Sequence, residues 1–183
     1  APMNEEELRN LMFTAQEKKH GPFTIRYPRG KGVMPEWETE FKSIEIGTGR
    51  KLRNGENIAI LSFGHVGNYA SEACNEYDKE GTHIGHFDLR FAKPLDHKIL
   101  HEVFLNYEHI ITIEDGCISG GIGSSVIEFM VDNQYSSSVY RLGIPDEFIE
   151  HGPQNQLHAD CGYDKKSLIN KIEQIKSKLK LAM

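Results

Sequence analysis

From Asn57 to Ile144, short apolar runs alternate with stretches of helical periodicity, and that alternation confines the chain to one class of fold. "NIAILSFG" reads as a buried strand, and the "GNYASEACNEY" behind it sets Tyr69, Ala73 and Tyr77 on one helical face. "THIGHFDLRF" is a second strand candidate. "DHKILHEVFLNY" follows, with Ile99, Leu100, Val103 and Phe104 at helical spacing behind Asp96, a residue suited to capping. "HIITIED" reads as a third strand, "SSVIEFMVDN" as a helix and "SSVYRLGI" as a fourth strand. The closing "DKKSLINKIEQIKSKL" places Leu168, Ile172, Ile175 and Leu179 on one helical face. Strands separated by helices require a mostly parallel sheet covered on both sides, so the expected fold is α/β, a three-layer sandwich.

Upstream of this set, Asn54-Gly55 lies between two alternating runs in "SIEIGTGRKLRNGENIAIL". It is a strong hairpin signal and predicts an antiparallel edge strand ahead of the parallel ones. "GKGVMPEWETEF" follows neither period and reads as a linker. The first thirty residues fit less easily. "NEEELRNLMFTAQEK" has Asn4 and Glu7 at capping-box spacing and an apolar face of Leu8, Leu11, Met12 and Ala15. "FTIRYP" alternates like a strand. A single helix and strand cut off by a linker have no sheet to join, so they read as the tail of a second α/β domain.

A chain of 183 residues suffices for one well-buried domain with part of another. Its formal charge of -6 argues against a nucleic-acid backbone partner, which calls for a basic stripe. The three cysteines, Cys74, Cys117 and Cys161, are widely spaced without a C-x-x-C pair, which disfavours a disulfide framework or a zinc site. A reducing cytoplasm is the expected location. No apolar run approaches the ~18 residues of a membrane helix, and no membrane partner is expected.

The four glycines of "EDGCISGGIGSS" (Gly116, Gly120, Gly121 and Gly123), after a strand and before a helix, invite a phosphate-loop reading. A dinucleotide fingerprint would need glycine where Val126 stands, and a Walker loop would need lysine at Ile122. The second strand-to-helix turn, "FGHVGNY", offers only Gly64 and Gly67. Tight turns and close packing are the favoured role for these glycines, with an anion at the helix N-terminus as the alternative. His97 and His101 stand at metal-chelating i, i+4 spacing, but "HKILHE" lacks the glutamate after the first histidine that a zinc protease would need, and they read as a solvated face. Glu114 and Asp115, adjacent on a strand, point to opposite sides, which favours a loop or cap role over an acid/base pair. Cys117, with no histidine placed beside it by the sequence, is a weak nucleophile candidate. Arg29 in "IRYPRG", just past a strand end, has a guanidinium placed to meet an anion or simply to be solvated.

Taken together and in order, "GPFTIRYPRG", "NIAILSFG", "DLRFAKPLD", "ITIEDGCISGGIGSSVIE" and "LGIPDEFIEHG" resemble the C-terminal part of the 1-deoxy-D-xylulose-5-phosphate synthase family, a branch of the transketolase-like enzymes. The chain departs from that pattern at Asp115-Gly116, where relatives usually carry Glu-Asn, and at Ala92, where they often carry valine. The resemblance implies that residues 1–30 end a pyrimidine-binding domain, 31–40 form a linker and 41–183 form a transketolase C-terminal domain. It implies thiamine diphosphate and Mg²⁺ in the complete enzyme, pyruvate and D-glyceraldehyde 3-phosphate as its substrates, isoprenoid, thiamine and pyridoxal precursors as the destination, and a homodimer. It also implies that this chain alone is inactive, with no cofactor, metal or catalytic residue of its own, because the metal-diphosphate motif and the catalytic glutamate and histidines would lie upstream. Arg29 would be the clamp on the glyceraldehyde 3-phosphate phosphate, where a planar fork suits better than lysine. The alternative from another class is a non-catalytic subunit or interaction module of the same fold.

Overall fold

The unbroken apolar run Ile58–Phe63 forms strand β2, and a strand without polar alternation needs helices above and below it. The computed structural model describes residues 1–17 and 21–182, with side chains described as far as Leu179. Helix α1 (Glu5–Ala15) and strand β1 (Arg50–Arg53) precede β2. After it come α2 (Gly67–Lys79), β3 (Gly85–Asp88), α3 (His97–Asn106), β4 (His109–Cys117), α4 (Ile122–Asp132), β5 (Ser138–Ile144), α5 (Gln154–Asp160) and α6 (Lys165–Ala182). The sheet runs β1-β3-β2-β4-β5, with β1 antiparallel to β3 and the other pairs parallel.

Strand periodicity sorts the core into two layers. Ile58 and Ile60 of β2, with Ile111 and Ile113 of β4, pack beneath α2 and α6, whose Leu168, Ile172 and Ile175 are buried as the helical spacing predicts. Ala59, Leu61 and Ile110 face α3 and α4, where Leu100, Val103 and Val126 meet them. Asp96 caps α3, accepting from the N–H groups of Lys98 and Ile99 at 3.0 and 3.1 Å. The three-layer α/β sandwich and its antiparallel edge strand are therefore as the sequence indicates. Polar groups lie inside it as well: His86 is hydrogen-bonded to Ser62 at 2.9 Å and is kept uncharged, its pKa pulled down to about 3 by burial and then by Arg53 and Arg50.

Three expectations are corrected. Asn54-Gly55 does not close a hairpin, because β1 pairs with β3 (Arg50 opposite Asp88, Arg53 opposite His86) and not with β2. Both edges of β2 are taken by parallel neighbours, so β1 can join the sheet only beyond β3. The chain then crosses the end of β3 so closely that a side chain at Gly55 would run into the backbone of Ile84 and Gly85. "FTIRYP" forms no strand, and among the described residues it joins no ladder. Phe23 and Ile25 instead pack on Leu11, Ile44 and Phe91.

The inward face of α1 is the third correction. It buries Glu7, Asn10, Leu11 and Thr14, while Met12 stays 53% exposed. Asn4 caps the helix through the N–H of Glu7 at 2.9 Å, as its spacing indicates. Glu7 does not return the bond. Its carboxylate takes the Nε and Nη2 fork of Arg90 at 2.8 and 2.7 Å and Nη1 of Arg50 at 2.9 Å. Asn10 and Thr14 accept from the backbone N–H groups of Lys42 and Ile44 at 2.9 and 2.8 Å. The helix is thus docked on the sheet domain by a polar stripe. Lys18, at the end of the stretch assigned to this helix, lies outside the described residues. The segment 31–40 carries neither helix nor strand.

Candidate functional site

Strand order decides where a site can form. From β2 the chain steps to β3 on one side, then crosses to β4 on the other, so β2 and β4 are the adjacent parallel strands whose connections diverge. Ligands of open α/β sheets bind beyond the carboxyl ends of such a pair. A cavity of about 410 Å³ lies there, walled by Met3 and Tyr27 of the N-terminal segment, His65 and Tyr69 after β2, and Gln154 and His158 of α5. Helix α5 was not legible in the sequence. Its short "QNQLHAD" lacks an apolar stripe, and His158 is its one buried residue.

At the edge of this cavity His65, Asp115 and His158 offer ligand-type atoms within 4.8 Å of one another. His65 Nε2 is buried without a hydrogen-bond partner and faces Asp115 Oδ2 at 3.8 Å. The other carboxylate oxygen of Asp115 accepts from Tyr163 Oη at 2.8 Å, and His158 Nδ1 is hydrogen-bonded to Tyr69 Oη at 3.0 Å. Burial lowers the pKa of both histidines against the opposing pull of Asp115, and His158 and Arg26 lower that of His65 further. Burial pushes the Tyr163 phenol up, helped by its bond to Asp115. Arg26 donates to the backbone carbonyl of Asp115. Each of these residues is unremarkable in isolation. Their common address, just past β2, near the carboxyl end of β4 and on α5, becomes visible only with the strand order.

The glycine loop resolves differently. Glu114 and Asp115 do point to opposite layers, and Glu114 turns toward α4. Its buried carboxylate accepts from the N–H groups of Ile122 and Gly123, both at 2.9 Å. The helix N-terminus that resembled a phosphate cradle already holds an anion supplied by the chain. Gly121 is required for this, since a Cβ there would sit 2.6 and 2.5 Å from Glu114 Oε1 and Oε2. With those N–H groups occupied and no metal-diphosphate motif in the sequence, the residues present do not fit thiamine diphosphate.

The remaining candidates separate. His101 is not simply solvated: its Nδ1 is hydrogen-bonded to Tyr135 Oη at 2.7 Å, and both it and His97 pack on Phe129. Cys117 is exposed, Cys161 half-buried and Cys74 buried, its thiol pushed up to about 11 mainly by that burial; all three are free. Arg29 is exposed at the bend after Pro28, between the cavity-lining Pro28 and Gly30. Among the described residues no helix is long and apolar enough to cross a membrane.

This fold and the position of the site define a class: the family "Transketolase, C-terminal domain" matches residues 47–168, and the chain belongs to it. More narrowly, the chain is 55% identical over 176 residues to 1-deoxy-D-xylulose-5-phosphate synthase of Cytophaga hutchinsonii, covering 96% of this chain and 28% of that protein. The synthase of Bacteroides thetaiotaomicron is 50% identical over 94% of this chain. Among solved structures, a split-gene transketolase described as an inactive β4 tetramer superposes with a TM-score of 0.66 at 27% identity, over 73% of this chain and 43% of its own. The chain spans 28% of the length of the first of these synthases and 27% of the second.

Proposed function

We propose that this chain is the C-terminal part of a 1-deoxy-D-xylulose-5-phosphate synthase, the enzyme that condenses pyruvate, decarboxylated on thiamine diphosphate, with D-glyceraldehyde 3-phosphate. The observation that carries the reading is the 55% identity extending over 96% of the chain but only 28% of the relative. The exposure of Met12, Phe13, Tyr27, Val33 and Trp37 supports it, because these apolar side chains crowd the stretch assigned to the end of another domain and its linker. On this reading residues 1–30 finish a pyrimidine-binding domain, 31–40 link it to the sheet domain, and the complete enzyme is a cytoplasmic homodimer holding Mg²⁺ with its cofactor. The part described here contributes scaffold and one substrate contact.

That contact is Arg29. In the complete enzyme Arg29→Ala removes a charge-assisted hydrogen bond to the triose phosphate worth roughly 1.5–3 kcal/mol, so kcat/KM for glyceraldehyde 3-phosphate is expected to fall about 10- to 100-fold. The constants for pyruvate should stay within about twofold, and equal damage to both substrates argues against the phosphate role. The 183-residue chain alone is expected to give no heat on titration with thiamine diphosphate and Mg²⁺. Micromolar binding in that calorimeter run contradicts the proposed division of labour.

A second reading has its own support. The likeness to a split-gene transketolase chain that is inactive as a β4 tetramer favours a separate subunit that meets its cofactor-bearing partner in trans. The coding frame upstream of Ala1 decides: several hundred continuous codons support a single-chain synthase, and a stop codon supports the split arrangement.

A further inference from the structure

We propose that His65, Asp115 and His158 form a binding site for a divalent transition-metal ion, with Zn²⁺ the best match to their donors. The inference rests on this chain's own geometry and not on the function proposed above. Two imidazole nitrogens and one carboxylate oxygen suit Zn²⁺, which takes three protein ligands and an open fourth position in its non-structural sites. The three ligand atoms lie within 4.8 Å of one another. Around an ion they would stand roughly 3.5 Å apart, so side-chain rotations on the order of 1 Å close the site.

The surroundings are those of a built site. Tyr163 holds Asp115 Oδ1, leaving Oδ2 turned toward His65. Tyr69 holds His158 Nδ1, leaving Nε2 for the ion. Ligand orientation by such outer partners is what tuned metal centres display. His65 Nε2 is a buried polar atom without a hydrogen-bond partner, an unfavourable state that coordination would relieve. Arg26, bonded to the carbonyl of Asp115, opposes a cation and sets the expectation at micromolar rather than tighter affinity. The fourth position would open on the 410 Å³ cavity and suits a water or an anionic oxygen ligand.

The ion would also give α5 an anchor. His158 is the buried residue of that helix, while His65 follows β2 and Asp115 lies near the carboxyl end of β4, so coordination ties the cavity wall to the sheet. The test is titration of the metal-free full chain with ZnSO₄ against a chromogenic chelator, repeated with Co²⁺ for its visible ligand-field spectrum. One micromolar event per chain is expected, with a four-coordinate Co²⁺ spectrum and slowed amide exchange in residues 154–160. Asp115→Asn and the pair His65→Gln/His158→Gln should abolish the event, Tyr69→Phe should weaken it about 10- to 100-fold, and the exposed control His97→Gln should leave it unchanged. Circular dichroism checks that each variant is folded. Absence of the event in the wild-type chain overturns the assignment, as does wild-type affinity in folded Asp115→Asn or in the folded histidine pair. If the pair fails to fold, Asp115→Asn and the Co²⁺ spectrum decide between the same two outcomes.

Discussion

Glu7→Ala is expected to cost about 3–5 kcal/mol of stability, because removing one partner of a buried ion pair strands the others. The Glu7 side chain is only 6% exposed, and it receives the Arg90 fork at 2.8 and 2.7 Å as well as Arg50. Arg50 would keep its bond to Asp88 at 3.1 Å, but Arg90 would lose both bonds that orient its guanidinium. Arg90 also sits at φ 53°, a left-handed conformation that costs a non-glycine residue on the order of 1–3 kcal/mol and persists only while its surroundings hold it. Asp88 is fully buried, and that burial pushes its pKa up against the pull of Arg50. Each charge in the cluster therefore depends on its neighbours. Urea unfolding measures the loss, and amide exchange in α1 locates it. Glu7→Gln, which keeps shape and one acceptor, should recover part of the stability. A loss below about 1 kcal/mol for Glu7→Ala would mean that the cluster is solvated and α1 is held by Leu11 and its neighbours instead.

Glu114→Ala should cost about 2–4 kcal/mol, the penalty of leaving the N–H groups of Ile122 and Gly123 buried without an acceptor. The geometry adds a more discriminating outcome. Two free N–H groups at the start of an eleven-residue helix, beside Gly121, make a vacated anion site. Inorganic phosphate should then raise the melting temperature of Glu114→Ala more than that of the wild-type chain, whose carboxylate blocks access. Equal phosphate effects on both proteins, with a small loss of stability, would show that the carboxylate does not carry the helix terminus.

The layers of the sheet domain were legible because its helices and strands, α5 excepted, carry one period without conflict. Leu168, Ile172 and Ile175, like Ile99, Leu100, Val103 and Phe104, are buried as spaced. Asn54-Gly55 misled because a local turn signal says nothing about which strand becomes the neighbour; crossover topology overruled it. On α1, hydrophobicity pointed to Met12 where Thr14 is buried, since burial of this helix comes through hydrogen bonds and ion pairs. The spacing of Glu7, Asn10 and Thr14 was a readable polar stripe, but only Arg50, Arg90 and the backbone of Lys42 and Ile44 give it meaning. At the candidate site, His65, Asp115 and His158 are far apart in sequence and belong to no motif. The glycines invite a phosphate loop that the sequence itself does not complete at Val126 and Ile122, and the structure adds a physical reason. The loop does enclose an anion, and the anion is part of the chain.

Glu114 and Asp115 also have a joint effect on the mechanics of the sheet. The first fastens α4 beneath strand β4, and the second fastens Tyr163, between α5 and α6, above it. Consecutive side chains of one strand thus act as a two-headed rivet through all three layers. A slip of β4 by a single residue would turn each carboxylate toward the wrong layer and release both fastenings together. The length of this strand is consequently fixed from two sides, and the two helical layers cannot drift in sequence independently at the end of the sheet where the cavity lies.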